Sequence, residues 1–584
     1  MVKFNLNVPP VTSSEQEVFP KQKNIENWIA TLPIASSSKT AKLLYKVIKK
    51  INRTKAPPLM RFEVTTALIS TIEQNMLALE KYYLDVTFPL STKIKHLAFI
   101  RIRLIEELAF AYKLIIQDLL QGMSSDAERK LLPVAIFYAV QRLSDLIYAR
   151  ALVYQLPLNL IWSELHTLYN FAETKRFATM NFKAALGANG EEIEATIKDL
   201  YLRALMFVTA SPMRLRQREM CALYFNILKW VKVIRVQSIT NFTPSATSFI
   251  VVTKGDNPPQ HSAIMSKTLN EPALELDTGF LIQILQDLYD TMPIEINSIV
   301  PGNKRDVLNK GTVRRLIQVW GSVPQRYFAR TQLNFELPLA IGINTIYKSL
   351  TGQDVPQPEP MLFGPGRLAS GSEIMNLTRR DLGFNSLDND RSRGLALAID
   401  NEVDSAMLDD SELTHSEWNK QVAKPKSQEN EISPYVTLTT LNESVGGYCV
   451  DWNSHKTSGA KIGELLGIEM PGSSSTYTLT VIRWIHDTLE LGLQVGLQVL
   501  SPKVEAVIVL NNTQRHSLPI HCLLIPELND TKLPASLIAS PSAFHTNDFD
   551  TVLLLKHGKI ERQIRLTELL ETSGAFVRLA FTFQ

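Results

Sequence analysis

The sequence predicts a multi-domain protein. An all-α helical array fills the N-terminal half, an antiparallel β-barrel follows it, and a further β-domain ends the chain. Three observations carry this. Before residue 245 apolar residues recur at steps of three and four, the period of a helix with one buried face. From Tyr435 onward they alternate with polar residues at period two, as half-buried antiparallel strands do. Between these regions, residues 351–430 lose both periods and gather Pro356, Pro358, Pro360 and Pro365, several glycines and an acidic stretch from Glu402 to Glu412. With 584 residues the chain has room for about three or four ordinary domains.

The helices are laid out first. Leu68, Ile72, Met76, Leu79 and Tyr83 draw one apolar stripe, and Leu97, Ile100, Leu104, Leu108, Ala111, Ile115 and Leu119 draw another. Ser125 and Glu128 form a capping box ahead of a helix that carries Val134, Tyr138, Arg142 and Ile147. Helical pattern continues through Trp162 to Ala172, Glu191 to Ala210 and Arg214 to Val236, giving about seven or eight helices with short connections. Trp162, Leu165 and Tyr169, with Ala178, Phe182 and Ala185, have a tetratricopeptide-like spacing. No second copy follows at a period of about 34 residues, so the segment is taken as an ordinary helical hairpin core.

Short β-prone runs then appear at Ser248 to Thr253 and His261 to Met265, and helical pattern returns at Phe280 to Asp290. Residues 351–430 form a polar insertion with room for one short helix at Arg393 to Met407. Beyond it, Leu491, Leu493, Val495, Leu497 and Val499 alternate with glycines and glutamines, and Val577, Leu579, Phe581 and Phe583 alternate at the end. The domain plan is therefore a helical array over 1–245 and a mixed connector over 246–310. A β-barrel follows from 311–350 and 431–502, interrupted by the 351–430 insertion. A C-terminal β-domain covers 503–584 and pairs with the strands of 246–276 as a second barrel.

Composition narrows the function. Hydrophobic residues are 45% and charged residues 20% of the chain, a globular balance. Lys plus Arg is 61 against 58 for Asp plus Glu, so nothing marks a binder of polymeric nucleic acid, and any anion site must come from local placement of charge. The three cysteines, Cys221, Cys449 and Cys522, make no disulfide framework. The first ten residues lack the apolar run of a secretory signal, and apolar stretches such as Leu131 to Val140 stop short of the roughly 18 residues of a membrane span. A cytoplasmic protein with no membrane span is expected.

Two segments hold candidate chemistry. Arg326-Tyr327-Phe328-Ala329-Arg330 precedes a strand pattern through Leu339, Ile341, Ile343 and Ile346. Two arginines four apart can turn two bidentate forks on one anion, such as a phosphate or a guanine edge; they can equally be a solvated face. Asn442-Glu443-Ser444-Val445-Gly446-Gly447 ends a strand. It is a turn first, and it also presents an amide and a hydroxyl beside a backbone that glycine leaves open.

Together, R-x-x-x-R, a strand and then N-x-S-x-x-G at a strand end resemble the signature of the PilZ domain. Arg483-Trp484 and Val495-Gly496-Leu497-Gln498-Val499 resemble its closing strands. The resemblance implies a PilZ-type barrel that binds cyclic di-GMP in a bacterium. It places Arg326 and Arg330 on phosphates and guanines, Asn442 and Ser444 on a guanine or phosphate, and Gly447 at the open turn. In this family the two motifs usually lie close together; here the 351–430 segment separates them, which loop-closure entropy tolerates. The implied protein is a receptor and not an enzyme, with no cofactor beyond its ligand. Ligand would order the arginine segment and change how the barrel packs on the helical array, which offers a surface to a protein partner. The alternative is a barrel that binds no nucleotide and serves as an interaction scaffold.

Other constellations are poor. No P-loop, G-x-S-x-G or H-E-x-x-H is present. His516, His521 and Cys522 cluster on strands of opposite facing. Arg314 and Arg315 either add charge to the site or form the solvated face of a helix.

Overall fold

The computed structural model describes residues 6–11, 19–122, 125–265, 268–293, 305–324, 330–355, 434–452, 459–469, 476–488, 492–511, 518–527, 534–544 and 546–584. The chain divides into two units, residues 1–352 with 428–584 and residues 353–427. Every helix and strand named below belongs to the first. Arg326, His516 and the stretch from Arg393 to Met407 lie outside the described residues.

The N-terminal array comprises α1 (Gln22–Ile29), α2 (Ser37–Arg53), α3 (Pro58–Glu80), α4 (Thr92–Gln121), α5 (Asp126–Ala151) and α6 (Ile161–Thr174). Pro58 opens α3, where a missing N–H costs nothing. The Ser125 box closes as predicted: the Glu128 amide donates to Ser125 Oγ at 3.2 Å, and the Ser125 amide to the Glu128 carboxylate at 3.1 Å. Among the described helices α5 alone is long and apolar enough to cross a membrane, but 83% of its apolar window is buried. Tyr138 on it stacks on Tyr112 of α4, ring centres 5.0 Å apart. It is a core helix.

The helical pattern fails after α6. Residues 181–196 form a hairpin of β1 (Asn181–Ala185) and β2 (Glu192–Thr196). Phe182 and Ala185 therefore lie on a strand, and the helical hairpin core expected there does not form. Gly187 and Gly190 turn the chain, Gly190 at φ +85°. The helix expected from Glu191 starts only at α7 (Ile197–Thr209), capped by Thr196 and Asp199, and α8 (Gln217–Trp230) follows.

Strands β3 (Arg235–Asn241), β4 (Ser248–Val252), β5 (Gln260–His261) and β6 (Thr268–Asp277) form their own sheet in the order β3-β6-β4-β5. They do not pair with the C-terminal strands, contrary to expectation, because β3 takes the free edge of β6. Helices α9 (Gly279–Thr291) and α10 (Lys310–Gly321) come next, α10 capped by Asn309.

The middle barrel is assembled from both sides of the insertion. Strands β7 (Thr331–Gln332) and β8 (Glu336–Ile341) and helix α11 (Ile343–Thr351) precede it. Strands β9 (Tyr435–Ser444), β10 (Gly447–Asp451), β11 (Leu465–Glu469), β12 (Tyr477–Thr488) and β13 (Gly492–Ser501) follow. The order β10-β13-β12-β11-β8-β9 closes through β9–β10, and β7 adds to β9. Ile343 and Ile346, expected on the strand, lie on α11. Gly342 at φ +84° breaks the strand, and Ile346 and Tyr347 become the buried face of an amphipathic helix.

A second closed barrel joins β14 (Glu505–Asn511), β15 (Ile520–Ile525), β16 (Ser536–Ala539), β17 (Leu553–His557), β18 (Ile560–Thr572) and β19 (Val577–Phe583) in the order β14-β15-β16-β19-β18-β17. It has its own core around Val509, Cys522, Phe544 and Leu579. By contrast, one continuous core runs through the helical array, the β3–β6 sheet and the middle barrel. Phe88 pins that junction. Its amide donates to the Ala460 carbonyl at 2.8 Å and its carbonyl accepts from the Ala460 amide at 3.0 Å.

Candidate functional site

The candidate site is built on the outer face of the middle barrel. Strand β9 ends at Ser444, Val445 and Gly446 form a two-residue turn, and Gly447 opens β10 opposite Ser444. Ser444 Oγ donates to the Gly447 carbonyl at 3.3 Å, and the Val499 amide donates to the Gly446 carbonyl at 3.0 Å. The turn is thus tied to its neighbour β13. Val445 stands at the tip, 82% exposed.

A bulge decides which side chains face outward. Thr440 pairs with Val450 and Asn442 with Cys449, so Leu441 is the extra residue on β9. Val450 points into the core. The alternation then puts Cys449 and its partner Asn442 on the outer face, with Ser444 and Gly447 two pairs further on.

Arg330 reaches the same face. Thr331 and Gln332 pair with Glu443 and Asn442, and Arg330 is the residue just before that pairing, at the Ser444 end of β9. Arg330 is exposed and has no ion pair among the described residues. Its charge is felt at Cys449. Burial pushes the Cys449 thiol up, while the Arg330 guanidinium and a hydrogen bond with Asn442 pull it back. Arg330 and Asn442, separated in sequence by the whole insertion, both bear on this thiol, and β7 next to Arg330 pairs with the strand that carries Asn442.

The register extends the site across β13 and β12. Cys449 pairs with Gly496, and Gly496 with Trp484. A Cβ at Gly496 would fall 1.9 Å from Trp484 Nε1, so the indole lies over that glycine. Gly447 pairs with Gln498, whose Oε1 accepts from Arg483 Nε at 2.6 Å. Two rows result. One runs Gln332, Asn442, Cys449, Gly496, Trp484; the other runs Ser444, Gly447, Gln498 and Val481 by register, with Arg330 next to β7 at one end and Arg483, at the β12 bulge, joined to Gln498 by its hydrogen bond.

Four of the five sequence-predicted residues, Arg330, Asn442, Ser444 and Gly447, are brought together. The fifth, Arg326, lies outside the described residues. Gln332 and Gln498 were missed, and only their strand registers reveal them. Arg314 and Arg315 are not part of the site. Arg314 donates to the Leu570 carbonyl at 3.1 Å, and Arg315 pairs with Glu219. His521 meets the edge of Tyr347, while Cys522 is fully buried in the second barrel and its thiol is pushed above the usual range. Among the described residues no group of three ligating side chains could hold a metal.

Among the described residues the rows form a shallow face with one cation outside any ion pair, three carboxamides, a hydroxyl, two glycines and an indole. Such a face suits a ligand with phosphates and planar bases: the fork holds an anion, polar groups meet base edges, and the ring stacks.

Three family models match in succession. Residues 23–241 match the "Cyclic-di-GMP receptor FimW, N-terminal domain", residues 248–505 its "middle PilZ domain" and residues 506–584 the "FimW C-terminal beta-barrel domain". A relative from Pseudomonas aeruginosa, "Cyclic-di-GMP receptor FimW", is 25% identical over 574 residues, covering 96% of this chain and 90% of the relative. No solved structure matches the chain.

Proposed function

The chain belongs to the PilZ-domain family, and from that premise we propose that it is a cytoplasmic receptor for cyclic di-GMP that binds its ligand and does no chemistry on it. The observation that supports this best is the convergence of Arg330 with Asn442 and Ser444 at the Gly446-Gly447 turn, although the two motifs are far apart in sequence. The P. aeruginosa relative carries the same function in its name.

Binding follows from the parts. Arg330, joined by Arg326 from the preceding segment, neutralises the two phosphate charges and offers a planar fork to a guanine edge. Asn442 and Ser444 supply donors and acceptors beside it. Gly447 keeps the face free of side chains between Ser444 and Gln498, so a base can lie close to the backbone. Trp484 gives a ring for stacking. The helical array is the surface for a protein partner.

Isothermal titration of cyclic di-GMP into the wild type and an Arg326→Ala/Arg330→Ala double variant tests the reading. Saturable heat that disappears in the variant, with an unchanged circular dichroism spectrum, is the expected result. No heat from the folded wild type at high micromolar ligand overturns it, and leaves a scaffold on a PilZ barrel.

A further inference from the structure

We infer that Arg483 is a further ligand-binding residue, held in the free protein by Glu571 of the C-terminal barrel, so that ligand and that barrel compete for one guanidinium. This rests on the cyclic di-GMP reading of the face.

Arg483 is the second cation of the outer face. It sits at the bulge of β12 between Ile482 and Trp484, and Nε donates to Gln498 Oε1 at 2.6 Å. Its remaining edge is committed elsewhere. Its two terminal nitrogens donate to the Glu571 carboxylate at 2.5 and 3.2 Å. That is a paired, charge-assisted contact of the kind arginine also makes with phosphate. The pair is partly open to solvent, 34% exposed on the arginine and 24% on the glutamate.

Register brings Gln498, the partner of Arg483, to within two strands of Ser444. Ser444, Gly447 and Gln498 occupy adjacent strands, so Gln498 lies about 10 Å from Ser444. Gly447 between them presents no side chain. A ligand seated on Arg330 and the turn extends its second half toward Gln498 and Arg483, and a phosphate or guanine edge there needs the edge that Glu571 holds.

The C-terminal barrel is the module with freedom to respond. Its core is separate from the continuous core of the rest. Polar ties join it near Glu571. Ser573 Oγ donates to the Gly463 carbonyl at 2.9 Å, Arg314 to the Leu570 carbonyl at 3.1 Å, and Arg216 packs on Gly574. These contacts gather at the end of β18 and the turn after it. Releasing Arg483 loosens that end, and linkage makes the effect reciprocal: whatever weakens the Arg483–Glu571 pair strengthens ligand binding.

The test is titration of cyclic di-GMP into wild type, Glu571→Gln and Arg483→Gln, with hydrogen exchange of residues 566–578 measured in the wild type with and without ligand. Glu571→Gln is expected to bind about fivefold or more tightly, and Arg483→Gln to bind more weakly. Ligand is expected to speed exchange in 566–578 of the wild type. Thermal unfolding checks that the variants fold; should Glu571→Gln not fold, the wild-type exchange decides. Wild-type binding with unchanged affinity in Glu571→Gln and unchanged exchange overturns this inference alone. Absence of wild-type binding removes the receptor reading and this inference with it.

Discussion

The backbone at Gly447 touches the backbone at Leu497: a Cβ on Gly447 would stand 1.9 Å from the Leu497 carbonyl oxygen. The hairpin that carries Asn442 and Ser444 is thus pressed onto β13 at a point where no side chain fits. Gly447→Ala forces the two strands apart and moves Ser444 away from Gln498. The expected cost is about 1–3 kcal/mol of stability, with loss of ligand binding larger than any loss of fold. Denaturant unfolding beside titration separates the two. A variant with wild-type affinity would show that the close approach is irrelevant to the site.

Arg330 is predicted to act through both charge and shape. Arg330→Lys keeps the charge and loses the planar fork, so most of the affinity should go, with little change in stability because the side chain is exposed. Arg330→Ala should also flatten the salt dependence of binding, since screening acts on the charge that is removed. Titration at two ionic strengths checks this. A lysine variant that binds like wild type would mean that a point charge suffices.

The helical stripes, the capping box at Ser125 and the period-two strands were legible because each repeats one local rule over many residues. The hairpin of β1 and β2 was not, since Phe182 and Ala185, three apart, and Ile193 and Ile197, four apart across the start of α7, also fit helical steps. Ile343 and Ile346 misled for the opposite reason: a strand and an amphipathic helix share a continuous apolar run, and Gly342 alone divides them. Of the candidate site, Arg330, Asn442, Ser444 and Gly447 were visible as motif residues. Gln332 and Gln498 were not, because only the pairing of β7 and β13 with their neighbours brings them to the face. The bulge at Leu441, which turns Asn442 outward, leaves no trace in residue type.

Trp484 is predicted to contribute by stacking. Its indole covers Gly496, which pairs with Cys449, the partner of Asn442. Trp484→Ala should weaken binding by about 1–3 kcal/mol, the range for one base on one aromatic ring, and Trp484→Phe should recover much of it. Ligand should also change the tryptophan fluorescence in wild type, with that change reduced in Trp484→Phe. Equal affinities for alanine and wild type would remove the ring from the site.

Asp487 supplies a pH dependence at the junction of barrel and helical array. Its amide donates to the Tyr154 carbonyl at 2.8 Å. Burial pushes its carboxyl up to about 6; Lys95, a hydrogen bond with Gln155 and Arg150 oppose the shift without cancelling it. The unfolded chain titrates near the ordinary aspartate value of about 3.9. Between these values the folded state holds a proton that the unfolded state has lost, so stability from this group falls as pH rises from about 4 to about 6 and stays low above that. Asp487→Asn removes the charge that burial penalises. Its stability relative to wild type should therefore grow across that window and level off above it, by on the order of 1–2 kcal/mol. Denaturant midpoints of both proteins at pH 4.5, 6 and 7.5 measure the difference. A gap that is the same at all three values would place the ionised carboxylate in solvent and remove its part in the junction.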